Sequence, residues 1–199
     1  MDLFSEEKQE FILPDAHLEY YPNCFSRTEA NDLFKILKSE TTWREDDIKV
    51  FGKVYKQPRL TALYGESNTP YSYSNITMYP EPFSTTILNI KDKIEDLSFH
   101  KFNTVLLNLY RNGNDSNGWH ADNEKELGKH PIIASVTFGE ERPFHFKHRT
   151  LKEERHQLIL KHGSLLVMKG TMQDYWLHQI AKTKKTIGER INLTFRTIL

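Results

Sequence analysis

The sequence predicts a mainly β fold with flanking helices, and three observations predict it. From Thr104 onward, short runs rich in β-branched and aromatic residues recur between charged and glycine-containing turns. The last run, Arg190-Ile-Asn-Leu-Thr-Phe-Arg196, alternates polar and apolar residues throughout, which is the period of a strand. Helical spacing of apolar residues is confined to two segments, both before residue 100. Together these indicate an all-β sandwich or barrel-like roll, with helices and an N-terminal sheet extension packed around it. A chain of 199 residues is long enough for one such domain with a sizeable core. No repeat, low-complexity tract or linker divides it.

Taken in order, residues 1–10 are expected to be frayed. Phe11–Leu13 and Leu18–Tyr21 read as short strands, stopped by Pro14 and Pro22. Ser26-x-x-Glu29 is a capping box, and Ala30, Leu33, Phe34 and Leu37 follow it at helical spacing. Ile48–Lys53, with Tyr55, Pro58 and Arg59 after it, is consistent with a β-hairpin turning at Gly52. A turn there leaves Phe51 in solvent; the alternative is a Phe51 that faces the core. Residues 65–84 are rich in turn formers and tyrosine and read as a long irregular loop, the kind that serves as a lid or binding segment. Tyr71 and Tyr73 alternate within it and would share one face. A second helix is expected from Pro82 to Leu97, burying Ile87, Ile90, Ile94 and Leu97. Strands are then expected near Thr104–Tyr110, Pro131–Phe138, Phe144–Lys147, Gln157–Leu160, Ser164–Met168, Tyr175–His178 and Arg190–Ile198.

The net charge is zero but unevenly spread. Residues 1–100 carry 11 Lys+Arg against 17 Asp+Glu, and residues 101–199 carry 16 against 10. A basic second half is compatible with a polyanionic partner and equally with a mixed solvated surface. Cys24 is the one cysteine, which excludes an intrachain disulfide and a cysteine-rich zinc site. No apolar run reaches the length of a membrane span, and the acidic MDLFSEEKQE start lacks a signal-peptide core. The expectation is an intracellular protein with no membrane association.

The chemistry centres on Asn108–Asp122. His120 and Asp122 can point the same way from an extended backbone, giving one imidazole and one carboxylate. With His178 as a distant third ligand they fit the two-histidine, one-carboxylate triad of mononuclear non-haem iron, which leaves three adjacent positions open. A lone His-x-Asp is a common chance pattern, so a co-substrate site must accompany it. The last strand offers one. Arg190, Asn192, Thr194 and Arg196 fall on one face, and Ile191, Leu193 and Phe195 on the other. If the polar face points inward, two buried guanidiniums need anions, and a dicarboxylate matches them. Asn108 and Tyr110 share a strand face just upstream of the ligand pair and could donate hydrogen bonds to a carboxylate.

This combination, N-x-Y, H-x-D-x-E, a distal H and R-x-N-x-T-F-R, resembles the AlkB family of Fe(II)- and 2-oxoglutarate-dependent dioxygenases over roughly Val50–Leu199. The tracts Val50–Lys53, Pro58-Arg59, Pro131–Gly139 and His162–Met168 resemble the branch that repairs alkylated double-stranded DNA. The resemblance implies a double-stranded β-helix, or jelly roll, at residues 101–199. Residues 1–100 would form an N-terminal α/β extension and nucleotide-recognition lid of the same domain. It implies Fe(II) on His120, Asp122 and His178. It also implies 2-oxoglutarate on Arg190 and Arg196, with Asn108, Tyr110, Asn192 and Thr194 in support and Arg190 on the distal carboxylate.

The implied activity is oxidative demethylation of 1-methyladenine- and 3-methylcytosine-type lesions in DNA by a monomer, using dioxygen and releasing formaldehyde, succinate and carbon dioxide. Such a base must leave the stack. Phe51 would fill the gap, Tyr73 and His120 would sandwich the base, Tyr71 would line the pocket, and Glu124 would accept from an exocyclic amine. Arg59, Arg142, Lys147, His148, Arg149, Lys182, Lys184 and Lys185 are the candidates for phosphates. A hydroxylase of RNA or protein would keep the triad and Arg190 without needing Phe51. A non-catalytic nucleic-acid-binding module would make no succinate.

Overall fold

The two-residue alternation of the final strand decides how the layers stack. In the computed structural model, residues 8–50, 53–67, 71–73 and 76–199 are described, with the backbone alone at 48–50, 53, 71–73, 76 and 77. The chain begins with β1 (Gln9–Leu13), β2 (Ala16–Tyr21) and α1 (Arg27–Glu40). Next come β3 (Asp47–Val50), β4 (Lys53–Lys56), β5 (Leu60–Gly65), β6 (Tyr71–Tyr73), β7 (Ile76–Met78), β8 (Glu81–Pro82) and α2 (Thr85–Ser98). Then follow β9 (Thr104–Tyr110), β10 (Asn117–His120), β11 (Ile133–Gly139), β12 (Arg142–His148), β13 (Arg155–Leu160) and β14 (Ser164–Lys169). A helical turn, α3 (Met172–Tyr175), leads to β15 (Trp176–Ile180) and β16 (Arg190–Arg196).

Eight strands form a large sheet in the order β1-β2-β14-β11-β16-β9-β5-β8, and four form a small one in the order β10-β15-β12-β13. Strands from both halves of the chain therefore share the large sheet. The odd residues of β16, Ile191, Leu193 and Phe195, are fully buried on one face with Val105, Leu107 and Leu109 of β9 and Val136 and Phe138 of β11. Ala30 and Leu37 of α1 and Ile87, Ile90 and Ile94 of α2 close over them. The opposite face looks at the small sheet, where Leu106, Ile133, Leu166 and Met168 meet Phe144, Phe146, Trp176 and Ile180. The even residues of β16 project into that second layer, so both faces of the strand are buried.

Local chemistry accounts for the helix starts. Ser26 accepts from Glu29 N and Glu29 accepts from Ser26 N, the expected capping box. The second helix starts at Thr85 rather than Pro82, because Glu81–Pro82 pairs with β5 as a parallel edge and Ser84 caps the helix by accepting from Ile87 N.

Other departures have physical reasons. Gln9 and Glu10 are paired with β2 rather than frayed. β5, next to the edge of the large sheet, is a strand the sequence pattern does not reveal, because all but one of its residues are buried and it lacks a clean alternation. The segment read as an irregular loop contains the antiparallel pair β6–β7. β3 and β4 pair with Val50 opposite Lys53; Phe51 and Gly52, the expected turn, lie outside the described residues.

Glu95 ties the end of α2 to the start of β9. Its carboxylate accepts from Phe102 N at 2.8 Å and from Lys101 Nζ at 2.6 Å, and pairs with Lys91 Nζ at 2.9 Å. Burial alone would raise this carboxyl, but the two ammoniums and the backbone N–H outweigh it and hold it below its ordinary value. A depressed carboxyl contributes stability above its unfolded pKa and loses it as the pH falls through the folded one. Glu95→Gln is expected to destabilise by about 1–3 kcal/mol at neutral pH. Urea titrations should show the gap to wild type closing below about pH 4.5, the ordinary glutamate value. A gap that persists in acid would place the effect in packing.

Candidate active site

The ligand geometry follows from strand pairing. β10 is the edge strand of the small sheet and pairs with β15, with His120 directly opposite His178. The two imidazoles meet edge to face at 4.3 Å between centroids. Asp122 follows β10 by two residues and is buried. Its N–H donates to Gln173 Oε1 at 2.9 Å, and its Oδ1 accepts from Arg196 Nη2 at 2.9 Å. His120, Asp122 and His178 each offer a ligating atom, all within 4.8 Å of one another.

The electrostatics suit a divalent cation. Burial, with His120 and Arg196 nearby, pushes His178 down to about 3, and burial lowers His120 as well. Both imidazoles are therefore neutral at neutral pH, the form that ligates metals. Burial would raise Asp122, but Arg196 and the two histidines outweigh it and hold the carboxyl at about 2. One carboxylate and two neutral imidazoles are the donor set of a non-haem Fe(II) triad.

Beside the triad a cleft enclosing about 460 Å³, part of it open to solvent, runs between the sheets. Leu106, Phe144, Leu160 and Met168 supply its apolar wall, and Asn108, Tyr110, Arg190, Asn192, Thr194 and Arg196 its polar one. Cross-strand register puts Arg190 opposite Tyr110 and Asn192 opposite Asn108. Arg190 is buried; its Nη2 donates to Thr137 Oγ1 at 2.9 Å, and its guanidinium carbon lies 5.1 Å from the Tyr110 ring centroid. Its Nε and Nη1 find no hydrogen-bond partner among the described residues. Burial lowers the guanidinium to about 10, so it stays charged. A buried cation with open donors is costly without an anion, and this is the observation that a carboxylate of 2-oxoglutarate fits.

Asn192 and Thr194 support the wall: Asn192 Nδ2 donates to Ser135 Oγ and Val136 O, and Thr194 Oγ1 donates to Asn192 Oδ1. Asn108 Oδ1 accepts from Arg59 Nε at 2.6 Å, which fixes the amide and turns its N–H pair away from Arg59.

Three basic residues expected on phosphates stand elsewhere. Arg59 is buried and also donates to Ser116 O. Arg142 is buried and donates to Asp115 O and Ala181 O. His148 is buried and hydrogen-bonded to Asp15. All three side chains are themselves buried and already hydrogen-bonded, Arg59 and Arg142 by acceptors within the fold and His148 by the exposed Asp15, so none lies open on the surface. Arg149, Lys182, Lys184 and Lys185 are exposed, and Lys147 is partly exposed. Glu124 is half-buried at the start of a 3-10 turn, two residues beyond Asp122. Tyr71 and Tyr73 lie in β6, where the backbone alone is described, and Phe51 is outside the described residues.

Sequence reasoning missed Gln173, which is buried with Oε1 on Asp122 N and 3.4 Å from His178 Nε2. A glutamine in a helical turn carries no pattern that would have found it. Ser135 and Thr137 were legible in principle, since they are polar positions two apart in an otherwise apolar strand.

A family described as the 2OG-Fe(II) oxygenase superfamily matches residues 17–196. The alpha-ketoglutarate-dependent dioxygenase alkB homolog 3 of Bos taurus is 41% identical over 191 residues, covering 89% of this chain and 64% of that protein. Its counterpart in Homo sapiens is 41% identical over 192 residues, covering 89% and 65%. The DNA oxidative demethylase ALKBH2 of Homo sapiens is 36% identical over 189 residues, covering 90% and 72%. The chain thus spans a little under two thirds of the length of the alkB homolog 3 relatives. The solved structure of OsALKBH1 superposes with a TM-score of 0.68 at 14% identity, covering 96% of this chain and 100% of that one, a likeness of fold.

Replacing Arg196 by Met strands the Asp122 carboxylate in the interior. In metal-free protein this is expected to cost about 3–5 kcal/mol, read by urea unfolding. The double variant Asp122→Asn/Arg196→Met should recover part of the loss; strictly additive costs would show that the pair is not coupled.

Proposed function

Because the chain belongs to the 2OG-Fe(II) oxygenase superfamily and sits among its AlkB-type members, we propose that it repairs DNA by oxidative demethylation of N-alkylated bases. The observation that carries the reading is the junction of the His120–Asp122–His178 cluster with a buried Arg190 that has donors open toward a carboxylate. The family uses Fe(II), 2-oxoglutarate and dioxygen, which together supply the oxidising power to hydroxylate an N-methyl group. The product breaks down to formaldehyde and the plain base, with succinate and carbon dioxide formed alongside.

This chain's residues hold and orient. His120, Asp122 and His178 would bind the iron, and Arg196 keeps Asp122 ionised. Arg190, held over Tyr110 and steadied by Thr137, would hold the far carboxylate of 2-oxoglutarate, and Asn108 would offer its N–H groups from the neighbouring strand. Arg196, committed to the ligand carboxylate, would lie nearer the metal end. Asn192 and Thr194 brace this wall, and the apolar wall keeps water from the reacting centre.

On the substrate side, Tyr71, Tyr73 and Glu124 would receive the extruded base and Phe51 would take its place in a duplex. Lys184 and Lys185, on an exposed segment that borders the loop at Asn112–Asn114, would meet phosphates. Arg59 enters this scheme as the residue that orients Asn108, not as a phosphate contact.

Incubation with Fe(II), 2-oxoglutarate and an oligonucleotide containing 1-methyladenine should lower the oligonucleotide's mass by one methyl-for-hydrogen exchange. Chelation, Asp122→Ala or His178→Ala should abolish the change. An unaltered oligonucleotide from metal-loaded wild type would overturn the reading. Arg190→Met should raise the apparent KM for 2-oxoglutarate by roughly 10- to 100-fold, the worth of a charged hydrogen-bonded pair. Phe51→Ala should impair turnover on duplex more than on single-stranded substrate; equal loss on both would remove the finger role.

A further inference from the structure

We propose that Trp119 and Lys147 form a platform for an unpaired stretch of the nucleic-acid strand, on the outer face of the small sheet. The inference rests on the nucleic-acid substrate proposed above and adds a contact surface to it. His120 turns into the cleft opposite His178, whereas Trp119, one residue earlier in an irregular stretch of β10, is part-exposed with its ring against Lys147. Phe144 and Phe146 of β12 are buried in the inner layer, so His145 and Lys147 between and beyond them face out. Arg155 and Gln157 of β13 lie opposite Lys147 and His145 and share that side, as does Gln179 of β15, opposite His145.

Every outward position of β12, β13 and β15 is basic, amide or apolar, and none is Asp or Glu. Lys147 makes no ion pair among the described residues; its Nζ lies 4.3 Å from the Trp119 ring centroid. The indole remains 41% exposed. A part-exposed indole with an ammonium over its ring, and no carboxylate paired to that ammonium among the described residues, matches the two halves of a nucleotide, since a base can stack on the ring and its phosphate meet the cation. Cation–π contact holds the two groups together before the ligand arrives. The charge of the face favours a polyanion over an apolar protein surface, which would leave Lys147 and Arg155 unmatched. Continuity with the cleft supplies the geometry: Trp119 and His120 are consecutive residues of the edge strand β10, so a strand on the platform runs past the wall of the metal site.

The test uses an unmodified single-stranded deoxyoligonucleotide and the full chain without iron or 2-oxoglutarate, so it is independent of turnover. Of the three tryptophans, Trp176 is buried, and binding is expected to quench a fluorescence component that Trp119→Phe lacks. Trp119→Ala should weaken binding on the order of tenfold, and Trp119→Phe, which keeps a stacking ring, should restore most of it. Lys147→Gln should reduce the slope of log affinity against log salt by about one. The proposal is overturned if wild type does not bind the unmodified strand, if Trp119→Ala binds it as wild type does, or if a blunt duplex quenches Trp119 equally. Demethylation by wild type with an unchanged Trp119→Ala affinity would leave the proposed function standing and remove the platform. Quenching at Trp119 without demethylation would do the reverse.

Discussion

Two guanidiniums buried on one strand are the constraint around which the cleft is arranged. Arg190 and Arg196 occupy the two ends of β16, six residues apart, and both point into the space between the sheets. Their charges cannot be left bare in an apolar interior. Arg196 meets the Asp122 carboxylate. Arg190 meets a hydroxyl and an aromatic face, neither of which carries a full negative charge. The strand thus has one cation committed to the protein and one whose remaining donors suit a ligand, separated by the neutral braces Asn192 and Thr194. That asymmetry orders the cleft from metal end to carboxylate end.

The same burial that makes the arginines costly keeps the histidines useful. In water an imidazole is partly protonated near neutrality; between these sheets desolvation keeps His178 and His120 neutral. Opposite effects on neighbouring groups, neutral imidazoles and an ionised carboxylate, follow from one low-dielectric space containing one committed cation. The small sheet supplies the imidazoles, the large sheet supplies the arginines, and Asp122 and Gln173 lie where the two meet.

Much of this was legible in the sequence because strand chemistry is local. The alternation from Arg190 to Arg196 gives the strand and its two faces without any tertiary knowledge; that the polar face turns inward is settled by the second sheet packed over it. Thr104–Tyr110 matches β9 residue for residue. The capping box at Ser26 is likewise a local pattern. What escaped depends on partners distant in the chain. β10 is four residues emerging from turn formers and exists through its pairing with β15. Gln173 matters because of where Asp122 falls. Arg59 and Arg142 looked like surface cations because a sequence shows charge and not the carbonyls that will surround it.

The position of β16 also bears on how the chain comes together during synthesis. It lies between β9 and β11 at the middle of the large sheet, yet it follows every other strand in the chain. Until it emerges, β9 and β11 lack the partner that joins them, and β14, with the N-terminal hairpin bound to it, cannot be connected to β5. A growing chain therefore carries two unfinished sheet halves with open edges, the arrangement most prone to pairing with other chains. A ribosome-bound precursor is expected to depend on chaperone protection until the final strand inserts, and insertion would fuse the halves and assemble the anion-binding wall in a single event.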